Sequence, residues 1–136
     1  MKGAPETFDA DGFVRLVEQL THTTEPVLVP TFDRLADRAI DGAITVDPDD
    51  HIVIVEGNYL LLDRPPWAAL RELFDRTGYI DIDDATRVER LVARHVRHGR
   101  SPEDAREFVR TSDEANAVIV TAARHRADVV IDPSLP

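Results

Sequence analysis

One stretch, IVIVEGNYLLL at residues 52 to 62, constrains the fold more than any other, because a single acid interrupts its apolar run. The four β-branched residues from Ile52 to Val55 are typical of a strand that is buried on both faces. Glu56 and Gly57 follow directly, and an ionised carboxylate is costly to bury unless it is paired or bound to a cation. Two interpretations of Glu56 therefore remain: it caps the following turn, or it lies near a metal–phosphate group at the carboxyl end of the strand.

Strands and helices alternate along the remaining sequence, which indicates an α/β fold with a mostly parallel sheet and flanking helices. The predicted strands are 26–30, 44–46, 52–56, 79–82 and 128–131. The predicted helices run from Asp9 or Asp11 to about Leu20, from Pro66 to Gly78, from Asp83 or Asp84 to about His98, from Ser101 onwards, and over 113–127. Residues 31–40 could hold a helical turn, and 46–50 form a turn by their proline and aspartate content. No repeat or low-complexity linker divides the chain, so residues 1–136 are expected to form a single domain.

Composition excludes several classes of partner. The net charge of −10 argues against nucleic acid or an anionic membrane as the partner of the whole surface. No apolar run approaches the ~18 residues of a membrane span. The N-terminal residues MKGAPETFDADGF lack an apolar signal segment. Cysteine is absent, which excludes disulfides and thiol chemistry. Together these features predict a cytoplasmic location.

One predicted helix carries a row of arginines that reverses the local charge. Arg87, Arg90, Arg94 and Arg97 recur at i, i+3, i+7 and i+10, so they share one helical face, and Arg100 follows in the break. This stretch holds five arginines and one acid, which gives a local charge of +4. Because guanidinium forks match phosphate oxygens, the row indicates a polyphosphate site. The alternative is a solvated helix face.

A second candidate is the segment PTFDR at residues 30 to 34, which places an aromatic ring beside an acid and a base. Phe32, Asp33 and Arg34 suit a polar substrate pocket with one stacking ring. The alternative is a proline-fixed turn around a buried phenylalanine.

Several stretches together resemble a known family: IVIVEGNYLLL, YIDIDDATRVERLVARHVRHGRSPEDAREFVRTSDEANA and RADVVI. They look like the C-terminal two-thirds of P-loop kinases of the uridine kinase and pantothenate kinase-like group. The nearest branch is the bacterial nucleoside/nucleotide kinase family, which includes fructose-transport kinase-like proteins. This resemblance implies a P-loop NTPase-like fold. It also implies transfer of a phosphoryl group from ATP, bound with Mg²⁺, to a hydroxyl of a nucleoside, a pantothenate-like molecule or a sugar.

The resemblance also implies roles for individual residues. It places one acid beside the magnesium and the phosphates, as the catalytic and metal-binding candidate: Glu56. It places three arginines in a lid over the nucleotide phosphates: Arg90, Arg94 and Arg100. The candidates for binding the phosphate acceptor are Phe32, Asp33, Arg34, Asn58 and Tyr59.

The sequence departs from this family in one large respect. The G-x-x-x-x-G-K-[ST] loop has no counterpart, because the six glycines are far apart and the one lysine is Lys2. A phosphate cradle cannot be built from these residues alone. In the family the strand before that loop lies between the strands matching 52–56 and 78–82, so both would be left with unpaired edges. We therefore expect the chain to be inactive by itself. It would be a kinase lacking an N-terminal segment, a homodimer or partner-completed module, or a non-catalytic remnant.

Overall fold

The computed structural model describes residues 4–33 and 38–133, which contain both helices and strands. The helices are α1 Ala10–His22, α2 Leu70–Leu73, α3 Asp84–Arg97, α4 Pro102–Phe108 and α5 Glu114–Ala122. The strands are β1 Val27–Asp33, β2 Arg38–Val46, β3 Gly78–Ile80 and β4 Val129–Ile131. A π-helical turn, Val109–Asp113, joins α4 to α5 without a break in helical backbone. The mixture of helices and strands predicted from the sequence is confirmed.

The described strands form two separate two-stranded sheets. β1 and β2 make an antiparallel hairpin, in which Phe32 lies opposite Ala39. β3 and β4 pair in parallel, with Tyr79 opposite Val130. The parallel pair agrees with the predicted sheet, whose larger extent stays a prediction.

The strand predicted at 52–56 is not formed in this chain. These residues form neither a strand nor a helix, and Ile52 and Ile54 are 81% and 88% exposed. A strand exists only where its N–H and C=O groups pair with a neighbour, and no described segment pairs with this one. The run therefore leaves large apolar side chains on the surface, a feature that commonly marks an interaction site.

Two helical segments expected from the sequence are replaced, in part, by paired strands. The helical turn expected within 31–40 is wrong for the described part, because 31–33 belong to β1 and 38–40 belong to β2. The helix expected to reach Gly78 ends at Leu73, where Phe74 turns to extended backbone. Gly78 instead begins β3.

The helix starts follow from side-chain caps, as the sequence predicted. Asp9 caps α1, Asp83 caps α3 and Ser101 caps α4, each accepting a hydrogen bond from the backbone N–H three residues on, at 2.9, 2.9 and 3.1 Å. Gly99 ends the α3 segment with a φ of 96°, which is the left-handed region that favours glycine.

The core lies where α1, α2 and the loop at 59–62 meet. Its buried members are Ala10, Val14, Val17, Tyr59, Leu62, Trp67, Leu70 and Ala123. The Tyr59 and Trp67 rings pack with centroids 6.0 Å apart. This packing holds the segment that follows Glu56 against α1. Within the two described ranges, no helix has the length and apolarity needed to cross a bilayer.

Asp128 clamps the start of β4 to the residues before β3. Its Oδ2 accepts hydrogen bonds from Thr77 N at 2.7 Å and Thr77 Oγ1 at 2.8 Å. Its Oδ1 pairs with Arg71 Nη2 at 2.6 Å. The hydrogen bonds from Thr77, helped by the nearby arginine charges, hold the pKa of Asp128 below its usual value of 3.8.

Asp128→Asn is expected to lower the melting temperature by a few degrees at neutral pH. A carboxyl with a lowered folded-state pKa stabilises the fold above its unfolded pKa, and this stabilisation is lost as pH falls through the folded value. The difference from the unsubstituted chain should therefore shrink as pH is lowered from 5 towards 2. Thermal unfolding followed by circular dichroism measures it. Asp75→Asn, at an exposed acid nearby, is the control, and equal losses in both variants would contradict the clamp.

Candidate functional site

An open groove lies between α1, the β1–β2 hairpin and the segment at 56–60. It brings together three of the predicted site residues, Glu56, Asn58 and Tyr59. Its volume of about 1530 Å³ exceeds the ~300–1,000 Å³ of a typical formed ligand pocket. The groove is therefore an open surface on which a site could be completed.

Glu56 lies on the groove wall with an exposed carboxylate. Among the described residues it accepts no hydrogen bond and makes no ion pair, so the interpretation of Glu56 as a turn cap is wrong. The three atoms nearest to a Cβ added at Gly57 would all belong to the side chain of Leu60, at 3.4 Å and beyond. Close packing within the described residues therefore does not explain this glycine.

The groove does not contain a site that would hold a metal by protein ligands alone. Nowhere in 4–33 or 38–133 do three histidine or acidic side chains converge for that purpose. Magnesium commonly binds through one or two carboxylates together with substrate phosphates and water. A single free carboxylate such as Glu56 fits a metal that arrives with a nucleotide.

The two residues after Gly57 differ in burial. Asn58 is exposed on the groove wall, whereas Tyr59 is buried in the core against Phe8 and Trp67. Burial raises the pKa of the Tyr59 phenol, and the charge of Glu6 adds to this effect. Tyr59 thus supports the core as well as lining the groove, and substrate binding by both residues stays a prediction.

Phe32 and Asp33 lie near the end of β1, and Arg34 lies outside the described residues. Phe32 is 56% exposed within a strand, so the alternative of a buried phenylalanine in a turn is wrong. Directly opposite residues of an antiparallel pair share a face. Phe32 therefore faces the same side of the hairpin as Ala39, which lines the groove. A role for this segment in acceptor binding stays a prediction.

The arginines of the α3 row differ in their contacts, because one pairs with an acid of the fold and others are exposed without such a partner among the described residues. Arg87 Nη1 lies 2.6 Å from Glu114 Oε1, in an ion pair whose angle is not that of a hydrogen bond. Glu114 raises the pKa of the Arg87 guanidinium. Arg90 and Arg94 are exposed and pair with no described acid. The arginines available to bind a phosphate are thus fewer than the periodicity indicated.

Arg100 lies in the break after α3 and stacks on an aromatic ring. Its guanidinium carbon is 4.1 Å from the centroid of Phe108. This contact is a cation–π interaction, which leaves the N–H groups at the edge of the guanidinium able to bind an anion. Of the described residues that line the groove, none belongs to α3, so a site shared by Glu56 and the α3 arginines stays a prediction.

Sequence reasoning missed several polar residues of the groove. Arg15, Gln19 and His22 lie on one face of α1 at i, i+4 and i+7, a spacing that could have identified them. Asp41 reaches the groove from β2. Its position depends on the hairpin, which was not predicted, so no local signal was available.

Comparison with solved structures supports the family resemblance. A protein of Silicibacter sp. TM1040 proposed to be a fructose transport system kinase shares 43% identity, with a TM-score of 0.87. That match covers 96% of this chain and 63% of the other chain. YFH7 of Saccharomyces cerevisiae, a proposed P-loop kinase with a circular permutation, matches at 24% identity with a TM-score of 0.81 over 98% of this chain and 50% of that chain. At that identity the second match shows the fold alone.

Curated sequences give the same grouping. The ATP-dependent kinase-like protein notR′ of Aspergillus versicolor is 36% identical over 108 residues, which are 76% of this chain and 63% of that protein. A proposed uridine kinase of Schizosaccharomyces pombe is 34% identical over 134 residues, which are 96% of this chain and 57% of that protein. No protein-family model matches the chain. By its sequence relatives and its fold, the chain is similar to part of the uridine kinase-like P-loop kinases, and it spans a little more than half the length of the relatives that it matches.

Proposed function

We propose that the chain carries the lid and the acceptor side of an ATP-dependent phosphotransferase that acts on a hydroxyl of a small metabolite. The acceptor is a nucleoside, a pantothenate-like molecule or a sugar. Relatives named as uridine kinases support a nucleoside, and a relative proposed to be a fructose transport system kinase supports a sugar. The observation that carries the proposal is the free pair Arg90 and Arg94 on one exposed helix face, in a chain whose net charge is −10. Such a pair has no structural partner among the described residues and suits phosphate oxygens.

The proposed chemistry depends on positioning and on neutralising charge. Arg90, Arg94 and Arg100 bind the oxygens of the nucleotide phosphates through their guanidinium N–H groups. Mg²⁺ bound with ATP would neutralise further phosphate charge, and Glu56 is the residue that would hold it. Asn58 and the hairpin orient the acceptor hydroxyl from the groove side.

We further propose that residues 52–56 become a strand when a neighbouring strand pairs with them. That neighbour would come from another part of a longer chain or from a partner chain. The exposure of Ile52 and Ile54 supports this proposal, because both side chains would be buried in a larger parallel sheet. The phosphate loop, which has no counterpart among these 136 residues, would come from the same source.

Binding of tripolyphosphate or ATP tests the proposal. We expect the chain to bind either ligand with a Kd near 1 mM, about −4 kcal/mol. Arg90→Ala with Arg94→Ala should weaken binding about tenfold or more, because two charge-assisted contacts are lost. Higher salt should weaken it too, since exposed charges are screened over ~10 Å at 0.1 M. Calorimetric titration at two salt concentrations measures both effects.

The matched control removes two other exposed arginines, by Arg106→Ala with Arg110→Ala. Both lie on the adjoining helical stretch and pair with acids of their own, Glu103 and Glu107. The control variant carries the same total charge as the test variant, so diffuse attraction would fall equally in both. Equal losses of affinity in the two variants would mean that the arginine row is a solvated helix face and not a phosphate site.

A further inference from the structure

His95 and Asp113 form a polar pair that the proposed phosphate site does not use. His95 Nε2 lies 2.8 Å from Asp113 Oδ2, and the two side chains are only 16% and 18% exposed. A carboxylate only accepts hydrogen bonds, so the imidazole Nε2–H donates in this contact. The pair ties α3 to the π-helical turn, and π-helical turns of this kind are frequent at functional sites.

α3 depends on such polar contacts because its apolar packing is weak. None of its residues is buried, although Val88, Leu91 and Val92 are partly covered. The ion pair of Arg87 with Glu114 is a second side-chain link from α3 to the segment after α4. His95 and Arg87 are eight residues apart, or ~12 Å along the helix axis. The two links therefore fix both the tilt of α3 and its rotation about its own axis.

The rotation decides where the free arginines point. His95 follows Arg94 directly, and successive residues of an α-helix are ~100° apart around the axis. With His95 held towards Asp113, the side chain of Arg94 begins ~100° around the axis from that contact, and it is exposed. Arg90 lies four residues before Arg94 and shares its face. A rotation of α3 after loss of the His95 contact would thus redirect both guanidinium groups.

The same cluster also orients Arg100. The His95 ring meets the ring of Phe108 edge-on, with centroids 4.9 Å apart. Arg100 stacks on that same Phe108 ring at 4.1 Å. One cluster, formed by His95, Phe108 and Asp113, therefore contacts or directs all three arginines assigned to the lid.

We propose that His95 and Asp113 are positioning residues for phosphate binding, which set the direction of Arg90 and Arg94 through α3 and of Arg100 through Phe108. This inference rests on the proposed function, since it assigns the pair to the same anion site. Neither residue touches the phosphate. Their effect on affinity is indirect and depends on the hydrogen bond between them.

The test is titration of the 136-residue chain with tripolyphosphate, well below its melting temperature. His95→Ala should weaken binding about threefold to tenfold. Exposed arginine–phosphate contacts contribute little binding free energy, and most of that is lost when the arginines are no longer held in the right direction. His95→Gln should restore the part of this binding that depends on the hydrogen bond, because its side-chain amide can donate to Asp113 from about the place of the imidazole Nε2. A residue that serves the fold alone would change the melting temperature without changing the Kd.

His98→Ala is the control at the residue that follows α3, where His98 is exposed and its Nδ1 lies 2.7 Å from the backbone oxygen of Arg94. It should leave the Kd unchanged. Asp113→Ala should also weaken binding, and combining it with His95→Ala should add no loss beyond that of His95→Ala, because the hydrogen bond between the two residues is already lost. Asp113→Ala and His95→Gln keep the test decisive if His95→Ala does not fold.

The outcomes separate this inference from the function on which it rests. If Arg90→Ala with Arg94→Ala abolishes binding while the His95 and Asp113 variants bind as the unsubstituted chain does, the positioning role is wrong and the phosphate site stands. If the unsubstituted chain does not bind tripolyphosphate, or the double arginine variant binds equally well, both are wrong. Weaker binding by His95→Gln to the same degree as His95→Ala also overturns the positioning role.

Discussion

Purified by itself, the 136-residue chain is expected to transfer no measurable phosphate from ATP to nucleosides or sugars. Its six glycines are dispersed and its single lysine is Lys2, so the backbone cradle and the lysine that hold the β- and γ-phosphates are both without a counterpart. Loss of such whole catalytic parts costs orders of magnitude in rate. Product formation from ATP and a panel of acceptors, followed by chromatography against a blank without protein, measures this.

Glu56→Ala is the control for this expectation. Glu56 is the carboxylate of the groove that we assign to the metal–nucleotide, so genuine turnover should depend on it. Traces of a contaminating kinase would be unaffected by the substitution. Steady turnover that exceeds the blank and disappears in Glu56→Ala would show that these residues suffice for catalysis.

Leu70→Ala is expected to produce the largest loss of stability by a single substitution. Leu70 is fully buried in the cluster formed by α1, α2 and the loop at 59–62, with 0% of its surface exposed. Truncation of a buried leucine costs about 2–5 kcal/mol in the free energy of unfolding, from lost burial and the cavity that remains. Since small domains have only about 5–15 kcal/mol in total, a large part of the stability would be lost. Denaturation in urea measures the change.

Leu28→Ala is the matched control, because it makes the same chemical change at a leucine that is 63% exposed on β1. Exposed substitutions of this kind usually change the free energy of unfolding by less than ~0.5 kcal/mol. A loss at Leu28 as great as that at Leu70 would mean that the cluster around Leu70 is not the main core. The groove would then lack the support that holds the segment after Glu56 in place.

The capped helix starts and the end of α3 were predictable from the sequence because their causes are local. Asp9, Asp83 and Ser101 each bond to a backbone N–H only three residues away. Gly99 ends the α3 segment through its own φ angle. The family was recognisable for a related reason, since its motifs are short continuous stretches. Local chemistry of this kind needs no knowledge of which distant segments pack together.

Strands were less predictable, because a strand needs a partner as well as a suitable sequence. Residues 52–56 are as β-branched as any in the chain, yet no described segment pairs with them. Residues 31–33 and 38–40 were expected to hold a helical turn. They form strands instead, because the two segments pair with each other. In both segments the intrinsic propensity of the residues favoured a structure that does not form, because the presence or absence of a pairing strand decides the outcome.

The sequence by itself determined the α/β class, the capped helices, the family and the set of candidate residues. Only the tertiary structure decided which candidates are free. Arg87 and Arg94 have the same place in the helical period, but Glu114 neutralises Arg87 and leaves Arg94 exposed. The contacts of His95 with Asp113 and of Thr77 with Asp128 join residues 18 and 51 positions apart. Such contacts arise from the packing of separate elements, so no periodicity or local motif encodes them.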